Sequence, residues 1–257
     1  MEQFVCLSGL PRAGSTLLSA ILSQNPLIHA EGNSAVCQLM WDLQQSGLNN
    51  AKEQLKANGR EITTMHTLIS NIPKLYYTNL TGEEKIVVDK CRSWTIPANL
   101  SLLEHYINPN YKVIILERSV SSIVKSFMKL YKANGLNQNS EAEKLLVPNS
   151  EPIMRSLAGI NWAKKNNQAN HFLFIQYDDL VRTPAAVLQQ IYDFCEWAPF
   201  THNYEQVVCK YPENDDIYGL KGMHHVHDTV IRRENPIALS AKLQANCETI
   251  DKLMGYY

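Results

Sequence analysis

The stretch Gly9-Leu10-Pro11-Arg12-Ala13-Gly14-Ser15-Thr16 has the makings of an anion cradle: two glycines separated by four residues, one guanidinium and two hydroxyls. It follows an apolar run over residues 4–8 and precedes Leu17, Leu18, Ile21 and Leu22 at helical spacing, with Asn25-Pro26 ending the helix. A glycine-rich turn between strand and helix suits phosphate, because the helix start offers unpaired amides and the positive end of its dipole. Ser15 stands where a nucleoside-triphosphate enzyme carries the loop lysine, so the charge of this loop falls to Arg12. Three more polar groups end apolar runs: Lys90 after Asp89, Arg118 after Glu117, and Tyr177 after Gln176.

The elements that must position these groups alternate along the chain. Strands are expected over residues 4–8, 85–90, 111–118 and 171–177. Helices are expected after the loop, over 34–56, 61–77, 96–107, from Val120 to Tyr131 on a face that includes Phe127, and over 184–195 and 238–254. A turn is expected at Asp178-Asp179, a surface insertion over 134–150, and irregular chain over 197–236, which holds four of the eight histidines. Nearly continuous apolar strands alternating with helices predict an α/β fold of three layers, a central parallel sheet with helices on both faces, in one domain over 1–257. Ligands of such sheets bind beyond the carboxyl ends of the strands, where Arg12, Lys90 and Arg118 converge on one crevice. Taken singly, each has a plainer reading: Lys90 a solvated strand end, Arg118 a partner of a nearby carboxylate, Ser126 an idle helix hydroxyl, Tyr177 a core ring with a wet tip.

Taken together, these residues resemble the sulfotransferases that use 3′-phosphoadenosine 5′-phosphosulfate (PAPS), especially the branch of the tyrosylprotein sulfotransferases and related bacterial enzymes. The likeness spans most of the chain and implies the P-loop nucleotide-hydrolase-like fold. Pro11-Arg12-Ala13-Gly14-Ser15-Thr16 is similar to the family's loop for the 5′-phosphosulfate, with Ala13 in place of the usual serine, and Leu17 extends it. Arg118 and Ser126, eight residues apart in VIILERSVSSIVKSF, resemble the family's pair for the 3′-phosphate. Eight residues are a little over two helical turns, and a guanidinium can grip phosphate through two hydrogen bonds. FIQYDDLVRTPAAVLQQIYDF resembles the segment whose tyrosine, here Tyr177, contacts adenine, and Asp89-Lys90 resembles a strand end bearing a catalytic lysine. Lys221, Gly222 and His224, followed by Arg232, resemble a lid over the nucleotide.

The chemistry so implied is in-line transfer of a sulfuryl group to a hydroxyl or phenol, with Arg12 and Lys90 stabilising the charge that develops, and PAP as the product nucleotide. The acceptor must lose a proton, so a base is expected nearby. The family's base glutamate aligns with Asn33 in His29-Ala30-Glu31-Gly32-Asn33-Ser34; Glu31 is the chemical choice in its place, with His29 second. Acceptors open to this chain are a small molecule, a glycan, a lipid or a peptide tyrosine. A P-loop kinase and a non-catalytic nucleotide-binding protein are the alternatives.

Composition limits the remaining classes. With 24 Lys+Arg against 25 Asp+Glu the chain is near neutral, which argues against tracking nucleic acid and makes any anion site local. Six scattered cysteines suit reduced thiols in a cytoplasmic protein, and no run approaches a membrane span. His224, His225 and His227 lack partners at metal-ligand spacing, so no metal is expected.

Overall fold

The computed structural model describes residues 1–60, 62–78, 80, 83–167 and 170–256. Gln3–Gly9 forms β1, whose last five residues are buried, and it becomes the middle strand of the sheet. On one side it pairs with β3 (Ile86–Lys90), which in turn pairs with β2 (Ile28–Asn33); on the other it pairs with β4 (Val113–Glu117) and then β5 (Phe172–Gln176). Among the described residues the strand order is therefore β2-β3-β1-β4-β5, with every pairing parallel. All five residues of β4 are buried, as a strand covered on both faces requires. The expected α/β architecture with a central parallel sheet between helices is the one observed.

β2 is an addition to the strands read from sequence. Its IHAEGN pattern turns polar toward the carboxyl end, and its register on β3 shifts between Ala30 and Asn33, so it carries only half of an apolar signal. The helices also differ in detail. The helix expected over 34–56 is two, α2 (Val36–Leu48) and α3 (Lys52–Ala57), separated at Asn49-Asn50-Ala51. The helix expected over 61–77 is α4 (Thr63–Tyr76), and Glu61 lies outside the described residues.

The helix expected over 96–107 is α-helical only over α5 (Pro97–Leu102) and widens to π geometry at Leu103–Ile107. Beyond β4, α6 (Val120–Ala133) buries the predicted face, including Ile123, Phe127 and Tyr131. The supposed insertion contains α7 (Gln138–Lys144), which buries Ala142 and packs on α6. α8 (Met154–Lys165) was not foreseen, because its polar residues are scattered around the helix. The Asp178-Asp179 turn is instead the first turn of α9 (Tyr177–Arg182), followed by α10 (Pro184–Cys195) and the closing α11 (Ala241–Met254).

Two features of this frame fix the site. β1 and β4 approach closely at the loop: Gly9 has φ +134°, and a Cβ there would stand 2.2 Å from the Leu116 carbonyl oxygen, so only glycine fits. At the far side, the Asp251 carboxylate of α11 accepts the backbone N–H groups of Val120 (2.5 Å) and Ser121 (3.4 Å) and the Ser121 hydroxyl (3.1 Å). That contact ties the start of α6, just after Arg118, to the closing helix.

Candidate active site

The carboxyl ends of β1, β3 and β4 open into a cavity of about 440 Å³, the size of a small-ligand site. Arg12, Gly14, Ser15, Thr16, Leu17, Lys90, Arg118, Ser126, Tyr177, Lys221, Gly222 and His224 all line it. The structure thus brings together most of the residues singled out in the sequence. Ala13 is fully buried beneath the loop. Arg232 is exposed, and it is Arg233 that lines the cavity.

The loop meets the requirements of an anion cradle. Gly14, at φ +92°, precedes α1 (Ser15–Leu22), and no side chain caps that helix start. The first-turn amides are left facing an external acceptor. Arg12 itself adopts a left-handed backbone (φ +59°), unusual for a residue with a Cβ. Its carbonyl accepts from Arg118 Nη1 at 2.8 Å, and its side chain turns toward α6. There Arg12 Nε donates to Ser126 Oγ (3.1 Å) and Nη1 donates to the Met223 carbonyl. Arg12 is therefore beside Ser126 rather than beside Lys90.

Arg118 lies 4.0 Å above the Tyr177 ring, and its Nε is buried without a hydrogen-bond partner among the described residues. The same ring lies against the loop, since a Cβ on Gly14 would come within 2.8 Å of Tyr177 Cδ2. Burial lowers the Arg118 and Arg12 pKa values, and for Arg12 the neighbouring Arg118 charge adds to it. Two buried guanidiniums with an unused donor make a place that gains stability from an added anion.

Lys90 is positioned from behind by Asp89. Strand alternation sends the two side chains to opposite faces, and Asp89 accepts Trp94 Nε1 (2.6 Å), Tyr77 Oη (2.8 Å) and Ser34 Oγ (2.5 Å) in full burial. Lys90 Nζ then reaches Glu213 Oε1 at 2.7 Å and Thr16 Oγ1 at 3.4 Å. Burial lowers the Lys90 pKa, with Glu213 opposing the shift. Burial would raise the Glu213 pKa, but Lys90, His224 and the Asn33 N–H together hold it below the ordinary glutamate value.

Glu31 sits elsewhere: its carboxylate is 3.1 Å from His29 Nε2 and it does not line the cavity, nor does His29. Of this stretch it is Asn33, at the end of β2, that does. Sequence reading missed Glu213, Asp215, Lys129 and Arg233. Asp215 takes His224 Nδ1 at 2.6 Å and His224 N–H at 3.1 Å, fixing a ring whose Nε2 is 3.5 Å from Glu213 Oε1. Only the YPENDD acidic run hinted at these carboxylates, and it reads equally as solvated surface.

The sequence model of the sulfotransferase family matches residues 5–202, from β1 through the loop and strand ends to the residues just past α10. The chain belongs to the sulfotransferase family. No curated protein sequence matches it. Among solved structures it is similar to the sulfotransferase domain from the curacin biosynthetic pathway, with 22% identity, TM-score 0.59, and 99% of this chain and 97% of that one covered. It is also similar to the sulfotransferase domain from the Synechococcus PCC 7002 olefin synthase, with 19% identity, TM-score 0.61, and 99% and 95% covered. A sulfotransferase from Alicyclobacillus acidocaldarius shares the fold at 12% identity and TM-score 0.54, with 100% and 96% covered. These likenesses establish the fold, and the family match makes sulfuryl transfer the general reaction. For a sulfotransferase, the segment holding Glu213, Asp215 and His224 lies beyond the matched region yet completes the cavity. Among the described residues no helix is long and apolar enough to cross a membrane.

Proposed function

We propose that this protein is a cytoplasmic, single-domain enzyme that transfers a sulfuryl group from PAPS to a hydroxyl or phenol. The observation that carries the donor assignment is the two-ended cation arrangement in one cavity: Arg12, Arg118 and Ser126 at one end, the open α1 start with Lys90 and Thr16 at the other. That arrangement suits a nucleotide with a 3′-phosphate and a separate 5′ anion. Arg118 and Ser126 would hold the 3′-phosphate, Gly14 to Leu17 the 5′ end, and Tyr177 would border the nucleotide through its contacts with Gly14 and Arg118. The donor, when bound, supplies an activated sulfuryl group. Lys90 stabilises the negative charge that grows on the leaving oxygen, and the loop amides share it. His224, which lines the cavity with its Nδ1 tied to Asp215 and its Nε2 3.5 Å from Glu213 Oε1, would take the proton of the hydroxyl. Six free cysteines support the cytoplasmic assignment.

Thermal shift decides between donors. PAP is expected to raise the melting temperature in the absence of metal, whereas a rise with ATP and Mg²⁺ but not with PAP would replace this reading by a kinase. Transfer of labelled sulfate to any member of a phenol and alcohol panel then separates enzyme from mere binder.

A pH dependence follows from the cations around His227. Burial, then the charges of Arg233, His225 and Lys129, lower its pKa in the free protein. An anionic nucleotide offsets those charges and raises it, so binding takes up a proton. Affinity for PAP should therefore tighten as pH falls from about 8 to about 6. Calorimetry in buffers of different ionisation enthalpy reads the uptake, and His227→Gln should remove that part of it.

A further inference from the structure

Glu213 makes an unusual set of contacts for a residue in irregular chain. One carboxylate oxygen takes the Lys90 ammonium at 2.7 Å; the other takes the Asn33 backbone N–H at 3.2 Å and the Asn33 side-chain amide at 3.4 Å. The side chains of Lys90 and Glu213 are only 4% and 10% exposed. Thr16 joins the set to the phosphate loop through Lys90, and His224 Nε2 stands at its edge. Gly32 is required for the approach, since a Cβ there would lie 2.2 Å from Glu213 Cγ. β2, β3 and the loop have thus built a small site for one monoanion with oxygen atoms in a plane, and a carboxylate of the same chain fills it.

We propose that Lys90, the Asn33 N–H and the Asn33 amide form the subsite for the donor's sulfuryl oxygens, with Glu213 as its resident occupant until the donor displaces it. This rests on the donor assigned above. A carboxylate and a terminal sulfuryl group each present a single negative charge spread over oxygens, so donors arranged for one serve the other. The exchange leaves the local charge balance unchanged and needs no proton to move. Glu213 is free to yield, because apart from the short turn Asp215–Tyr218 the stretch of chain that carries it has no regular structure, and Ile217, four residues on, is 79% exposed. Asn33 thereby gains a role as a residue that binds the donor directly. Its place at the end of the edge strand had no chemical signal beyond being an amide where a carboxylate was sought.

Calorimetry on the full chain tests the exchange with two nucleotides. PAPS reaches the subsite, whereas adenosine 3′-phosphate has no 5′ anion and serves as the control. In Glu213→Gln, PAPS should bind about tenfold more tightly than to the unaltered protein, the scale set by removing one ionic competitor, while adenosine 3′-phosphate binds as before. Unchanged or weaker PAPS binding, or an equal gain for both nucleotides, would overturn the proposal. Glu213→Asp, one methylene shorter and still ionised, should give a smaller gain in the same direction and carries the test if the glutamine variant does not fold. If the unaltered protein takes no PAPS, the donor assignment fails and inorganic sulfate decides the subsite alone. Glu213→Gln should then acquire saturable sulfate binding that a further Lys90→Met abolishes, and the lack of any such gain sinks the subsite as well.

Discussion

Arg118→Ala should weaken binding of PAP by about two orders of magnitude, the usual consequence of deleting one side of a buried, charge-assisted contact. The guanidinium keeps a buried donor, Nε, without a partner among the described residues, and it is held for use from three directions. The Tyr177 ring lies 4.0 Å beneath it, the Arg12 carbonyl accepts Nη1 at 2.8 Å, and Asp251 anchors the start of the helix that follows. Alanine removes the charge and also the contact that supports the Arg12 carbonyl in its left-handed turn, so the loop and the 3′-phosphate end suffer together. Arg118→Lys separates the two contributions. A lysine retains the charge without the planar fork, and it should recover only part of the affinity. Calorimetry with PAP and with adenosine 5′-phosphate tells the ends apart: the loss should be large for PAP and small for the nucleotide without a 3′-phosphate. Equal losses would make Arg118 a structural support of the loop and remove it from the phosphate site.

Much of this site was legible because its parts sit at the ends of strands that announce themselves. β1, β3 and β4 are buried on both faces, so their apolar runs are nearly unbroken, and whatever polar residue ends such a run is placed at the sheet's carboxyl edge. Arg12, Lys90 and Arg118 could be assigned to one crevice on that ground alone. β2 escaped notice because an edge strand needs only one paired neighbour, and its Glu31-Gly32-Asn33 end reads as loop. That omission led directly to Glu31 as the expected base, since a loop glutamate could point anywhere. On a strand its direction is set, and it meets His29 two residues away on the same face. Glu213 and Asp215 were illegible for a different reason. They lie in irregular chain, where no periodicity links residue type to direction; the partners of Glu213, Lys90 and Asn33, are more than a hundred residues earlier, and Asp215 meets His224 nine residues on only through the folding of that irregular segment. Tertiary folding alone brings them together.

Lys90→Met should lower sulfuryl transfer by two to three orders of magnitude, about the effect of removing one preorganised donor from a developing oxyanion. The difficulty in reading such a result is that Lys90 is also half of a buried ion pair. Methionine would leave the Glu213 carboxylate desolvated and unpaired, which costs about 3–5 kcal/mol of stability, and a poorly folded enzyme is also a slow one. The double variant Lys90→Met, Glu213→Gln resolves this, because a neutral amide needs no counter-charge and keeps its hydrogen bonds to Asn33. Urea denaturation should show the single variant well below the unaltered protein and the double variant restored most of the way. Transfer of labelled sulfate from PAPS to the responsive members of the acceptor panel should stay low in both. If restoring stability also restores turnover, Lys90 serves only to hold Glu213 in place. If turnover stays low in a stable protein, the ammonium acts on the reacting group itself, and the strand-end lysine is the centre of the catalytic charge.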